Sequence, residues 1–176
     1  EPLTLGQSIE LLGLSAPELP ADVAGEVARE LAGVPLALVG VRDLLTPPEL
    51  AGSAPLPSPV PVDRAVQVRY ASGWGALDVQ GQSAVTLLAA DDTADPTVIL
   101  AGLGKLGLDM GALLPAELQG LVRLDRIPRF THPLARAAVH AVAPPQWTRE
   151  AHAALGEVLR ERRDARGLRH RALGSA

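Results

Sequence analysis

The sequence predicts a mainly α-helical chain with one small β-hairpin. Apolar residues recur at helical spacing through most of the 176 residues. Prolines and hydroxyl or acidic residues stand where helices open, since a first-turn proline gives up an N–H that would be unpaired anyway. Period-two alternation is confined to two short runs, LVRLDR (121–126) and RFTH (129–132).

Taken in order, Thr4 caps LGQSIELLG, with Leu5, Ile9 and Leu12 on one face. Pro20 opens ADVAGEVARELAG, where Val23, Val27 and Leu31 share a stripe and Gly33 is the stop. Pro35 opens PLALVGVRDLL, which Thr46-Pro47-Pro48 ends. Composition then shifts: AGSAPLPSPVPVD (51–63) has proline at 55, 57, 59 and 61, an extended, stiff run read as a linker. Helical character returns in RAVQVRYASGWGAL, QSAVTLLAADD, PTVILAGLGKLG and LLPAELQG. The hairpin follows, joined tightly at Ile127-Pro128, and then the helix PLARAAVHAV. Helices, a hairpin and a further helix make residues 64–143 winged-helix-like. The tail, 144–176, is helical again, capped at Thr148 with Ala151, Leu155, Val158 and Leu159 as its apolar stripe.

Bulk properties narrow the function. The chain is 47% hydrophobic, with a mean hydropathy of +0.17, so a real core is expected, built from Leu, Val and Ala. Tyr70, Trp74, Phe130 and Trp147 are its four aromatic residues, too few for the stacking platforms of single-strand nucleic-acid binders. A net charge of −4 and a pI near 5.5 argue against whole-surface binding to DNA or anionic membrane. Without cysteine there is no disulfide, zinc ribbon or thiol nucleophile. No uncharged apolar run reaches the ~18 residues of a membrane span, and no signal peptide is visible, so a cytoplasmic location is expected. The chain starts at Glu1 and its single methionine is Met110, so it reads as an excerpt of a longer protein.

Several motifs are decoys. GLGKLG (102–107) fits the glycine pattern of dinucleotide-binding turns, with Asp125 downstream, but Gly111 and Pro115 interrupt the helix that should follow and the βα units of a sheet are missing. Gly104-Lys105 is followed by Leu106, so there is no P-loop and the chain alone is not expected to hold or hydrolyse ATP. His132 and His140 lie about 12 Å apart along a helix, too far to share an ion. Asp91, Asp92 and Asp95 read as carboxylates of a solvated turn. The basic run RERRDARGLRHR (160–171) reads as a solvated helix face rather than a DNA contact.

One stretch stands apart: RIPRFTHPLARAAVH (126–140) puts His132 at the joint between a strand and the first turn of a helix opened by Pro133. Unpaired N–H groups and the positive end of the helix dipole gather there, which suits a phosphate; helix capping is the simpler role.

ELAGVPLALVG (30–40) resembles the G-x-P-L-A-L motif in the helical lid of STAND-type ATPases, and RFTHPLARAAVH (129–140) resembles the histidine motif of their winged helix. With LTPPELAGSAPLPSPVPVD and LLPAELQGLVRLDRIPRFTHPL between and around them, nearly the whole chain resembles the large ATP-binding regulators of the LuxR type. The resemblance implies a helical lid (1–50), the proline-rich linker (51–63), a winged-helix-like subdomain (64–143) and the start of a helical-repeat arm (144–176). It implies a non-catalytic segment of a transcriptional regulator, with a P-loop ATPase module and a DNA-binding helix-turn-helix as partners elsewhere in the same protein. Homo-oligomers fit the same scheme.

By position, Pro35 matches the lid proline near adenine, Gly33 allows the turn before it, and His132 matches the histidine that approaches the β-phosphate of ADP. ATP or ADP is the implied ligand of the whole protein, with none held tightly by this segment alone. Val34 stands where the group commonly has asparagine, and Pro133 where apoptotic and plant-resistance relatives have aspartate. The rival reading is a stand-alone winged-helix DNA-binding domain, which needs a basic recognition helix; LLPAELQG and PTVILAGLGKLG carry one lysine between them.

Overall fold

Short polar side chains and prolines set where most helices begin. The computed structural model describes residues 1–162 and 166–175. Thr4 forms a capping box with Gln7 and starts α1 (Leu5–Ser15). Asp63 accepts from the Val66 N–H at the head of α5 (Arg64–Gly75), Asp78 from Gly81 at α6 (Val79–Ala90), and Asp95 from Thr97 at α7 (Pro96–Lys105). Prolines at the N-cap or first turn open α2 (Ala21–Glu30), α3 (Pro35–Gly40), α9 (Pro133–Val142) and α10 (Pro145–Glu161). Two short helices, α4 (Pro47–Leu50) and α8 (Leu114–Leu118), and α11 (Arg166–Ser175) complete the set, with 3₁₀ turns at Val41–Asp43 and Met110–Leu113. The single sheet described pairs β1 (Val122–Leu124) with β2 (Pro128–Phe130) antiparallel, Arg123 facing Arg129. The chain is therefore mainly α with one small hairpin, as its periodicity requires.

Local differences have local causes. PLALVGVRDLL is not one helix: α3 stops at Gly40, a 3₁₀ turn follows, and Thr46 forms a capping box with Glu49 that opens α4. Pro128 belongs to β2 rather than to the connection, so residues 125–127 form the loop; a proline can start a strand whose N–H is not needed by the ladder. Thr148 lies inside α10, which Pro144 and Pro145 open one turn earlier. Gly102 and Gly104 of the GLGKLG run lie within α7, and Gly107 (φ +72°) follows its end, so no strand-to-helix glycine turn exists there. Asp91 is not solvated: it is buried, and its carboxylate accepts from the Thr93 N–H and hydroxyl and the Ala94 N–H.

The packing centres on α6. Eight of its residues are buried, from Gly81 through Ala90, as expected of a helix apolar all round. It touches α9 and α10, while α5 packs on α9, α10 on α7 and α11, and α1 on α2 and α3. The proline-rich stretch 51–63 carries no helix or strand between Leu50 and Arg64, yet Val60 and Val62 are buried in the common core.

Arg136 ties these parts together. From α9 its guanidinium donates to the carbonyls of Ala89 (3.0 Å) and Asp91 (2.9 Å) at the end of α6. It also reaches Ser58 Oγ in the proline-rich stretch (3.3 Å) and faces Glu30 at the end of α2 (4.0 Å). A cation at a helix C-terminus is favourable, and here it satisfies carbonyls with little access to water.

Two predictions follow from this framework. Replacing Arg136 by Met keeps the apolar stem and orphans those carbonyls; urea unfolding should show a loss of about 2–3 kcal/mol. Unchanged stability would mean that water replaces the guanidinium. At Gly33 (φ +68°) a Cβ would overlap the Leu3 carbonyl oxygen, whereas at Gly13, inside α1, it would meet nothing. Gly33→Ala should therefore cost roughly 2 kcal/mol or more, and Gly13→Ala should gain about 0.5–1 kcal/mol.

Candidate functional site

The turn before α3 is built by two consecutive left-handed residues, Ala32 (φ +52°) and Gly33 (φ +68°). The Gly33 carbonyl accepts from the Leu3 N–H at 2.8 Å, which brings the N-terminal segment alongside. Val34 is then extended and Pro35 takes the first position of α3. Gly33 does not line a cavity itself; it aims Pro35.

His132 is the N-cap of α9. Its Nδ1 accepts from the Leu134 N–H at 3.1 Å, so in the neutral ring Nε2 carries the proton. Tyr70, from α5, stacks on the imidazole with ring centroids 4.6 Å apart and planes 30° apart. The Arg69 guanidinium carbon lies 5.8 Å from the centre of the Tyr70 ring. Tyr70 thus contacts both the imidazole and the guanidinium. Partial burial, and next the nearby Arg69 charge, lower the His132 pKa below its usual 6.5.

Pro35 and His132 line one cleft of about 450 Å³. One side is Val34, Pro35 and Leu36; the other is Val66, Arg69, Tyr70 and His132, with Glu1 and Pro2 at the rim. The size lies within the range of small-molecule sites. Its walls are largely apolar, and its polar groups are the Arg69 guanidinium, the His132 imidazole, the Tyr70 hydroxyl and, at the rim, Glu1. Such a cleft can receive a flat apolar group together with an anion.

Of the three residues singled out from the sequence, Pro35 and His132 meet across the cleft and Gly33 sets the turn behind it. Arg69 and Tyr70 were not singled out. Their signal is faint: a lone tyrosine next to an arginine, one turn past Val66 on the same helix. Among the described residues no group of three or more His, Cys, Asp or Glu is arranged to hold a metal ion, and no single helix is long and apolar enough to cross a membrane. In comparisons with known proteins, no family model matches the chain, nor does any curated protein or solved structure.

The His132 ring should titrate below 6.5 when its Cε1 proton is followed by NMR. Arg69→Ala should move that midpoint up part of the way, because burial, the larger cause, remains. The sign for stability follows: His132 costs nothing above pH 6.5, where it is neutral folded or unfolded, and opposes folding as pH drops from there toward its lowered pKa. A midpoint unmoved by Arg69→Ala would show that the arginine does not act on the ring.

Proposed function

We propose that this chain is the lid and winged-helix regulatory segment of an ATP-dependent transcriptional regulator of the LuxR type, sensing nucleotide held on a P-loop module outside residues 1–176. The observation that carries the reading is the meeting of Pro35 and His132. They lie far apart in sequence, on separate motifs that resemble separate parts of one nucleotide site, and they face one cleft. Apolar walls beside Pro35 suit a base, and the Nε2–H of His132 with the Arg69 charge suits a phosphate.

In this reading the segment does no bond-breaking chemistry. ADP bridges the P-loop module and the cleft and holds the assembly closed; ATP with an inducer favours an open form. The bias comes from contacts that differ between the two nucleotides, as any two-state switch requires. His132 stays neutral near pH 7, so it acts as a hydrogen-bond donor and not as the site's charge. The cytoplasm is the compartment this role implies.

The test is ADP affinity, by calorimetry, of a longer chain that carries the P-loop module, as wild type and as His132→Ala. Loss of one charge-assisted contact to phosphate should weaken binding about tenfold or more, roughly 1.5–3 kcal/mol, with the fold intact. Equal affinity would leave His132 as the α9 cap alone and overturn the sensing role.

A further inference from the structure

Three of the four histidines lie together under the C-terminal helix, away from the cleft. His152 on α10 and His170 on α11 are buried, and their Nδ1 atoms face each other at 2.7 Å. His170 Nε2 meets Asp92 Oδ1 at 3.1 Å. His140, on α9, sets its ring edgewise to His152 with centroids 5.9 Å apart, and its Nε2 is buried without a hydrogen-bond partner among the described residues.

This cluster lies at the contact between α10 and α11. Of the α11 side chains described from Arg169 to Ser175, His170 is the one that is buried. The two helices approach closely because glycines face the contact: a Cβ on Gly174 would press on the Ala153 backbone, and one on Gly156 on the Arg171 backbone. Among the α11 side chains described, docking therefore buries an imidazole and no apolar group.

Proton counting limits what the pair can hold. Two ring nitrogens in a hydrogen bond share one proton, and the nitrogen facing Asp92 carries another. In the neutral pair the His152 Nδ1–H donates to His170 Nδ1, and the His170 Nε2–H donates to the carboxylate. One added proton can be accommodated as a single imidazolium beside Asp92. A second would set two Nδ1–H groups against each other at 2.7 Å, so the docked pair carries at most one positive charge. Separated in water, both rings can charge.

We propose that His152, His170 and Asp92 form a proton-sensitive latch that keeps α11 docked on α10 at neutral pH and releases it as the pH falls.

The surrounding charges work in the same direction. Burial is the main cause holding His152 down, to a pKa of about 4, and His170, His140 and Arg169 add to it, while Asp92 opposes. His140 is itself held below its usual range, by burial and then by Arg136. Arg169 lies 3.6 Å from Asp92 Oδ2. Farther along α10, Glu157 and Glu161 are engaged by Lys105 of α7. The undocked form thus takes up one more proton than the docked form between pH 6.5 and about 4. Docking is at full strength above 6.5 and weakens below it, by at most tenfold per pH unit.

Hydrogen exchange of the whole chain reads this directly. After correction for intrinsic rates, α11 amide protection should drop about tenfold between pH 6.5 and 5.0, while α6 stays protected. In His152→Asn the carboxamide can offer either N–H or C=O to His170 and cannot titrate, so protection of α11 should stay level over the same range. Wild-type protection that does not change, or an equal drop in His152→Asn, overturns the latch. Should that variant fail to dock, NMR titration of the wild-type imidazoles decides. His152 neutral down to about pH 4 in the docked form supports the latch, and titration at its ordinary 6.5 with α11 still protected refutes it.

Discussion

Everything else in this molecule depends on burying α6 from Gly81 to Ala90. So apolar a helix makes an efficient centre for a chain with so few aromatic side chains, but the free groups at its ends must find partners, and at its buried C-terminal end these must come from the protein. Asp78 meets the free N–H of Gly81 at the first turn. Arg136 meets the carbonyls of Ala89 and Asp91 at the last. Because that arginine is carried on α9 and also reaches Ser58 and faces Glu30, satisfying the end of one helix orients three other segments around it.

The cleft is a consequence of that arrangement. Once α9 is fixed at Arg136, its N-cap, His132, is fixed one turn away. The packing of α5 against α9 then brings Tyr70 onto the imidazole. On the opposite side, the left-handed pair Ala32-Gly33 and the hydrogen bond to Leu3 set the direction of α3, and with it Pro35. Capping and ligand contact are not rival uses of His132. Nδ1 is spent on the Leu134 N–H, and that choice of tautomer is what leaves Nε2–H as a donor.

The two histidine environments show how one side-chain type serves opposite ends. His132 is partly exposed at a helix start, beside a fixed cation, and is poised to donate. His152 and His170 are sealed between helices, where a shared proton and one carboxylate make the contact stable only while net charge is low. The difference lies in surroundings: a helix start beside Arg69 for His132, a helix–helix contact for His152 and His170.

The sequence by itself determined the helical class, the hairpin and most helix starts, because caps, first-turn prolines and apolar spacing act over three or four residues. It also marked Pro35 and His132 through short motifs, and the stripe Ala151, Leu155, Val158 and Leu159 is buried as its spacing demands. The tertiary structure alone decided which distant residues share a surface. Arg69 and Tyr70 join the cleft through the α5–α9 packing. Arg136, which no local pattern singles out, closes the end of α6. His170 sits in a basic run that looks like a charged helix face, part of which (163–165) lies outside the described residues, and it is buried against His152. Local patterns carry backbone preference and amphipathicity, whereas charge pairing, proton sharing and cleft walls depend on through-space neighbours that no window of adjacent residues contains.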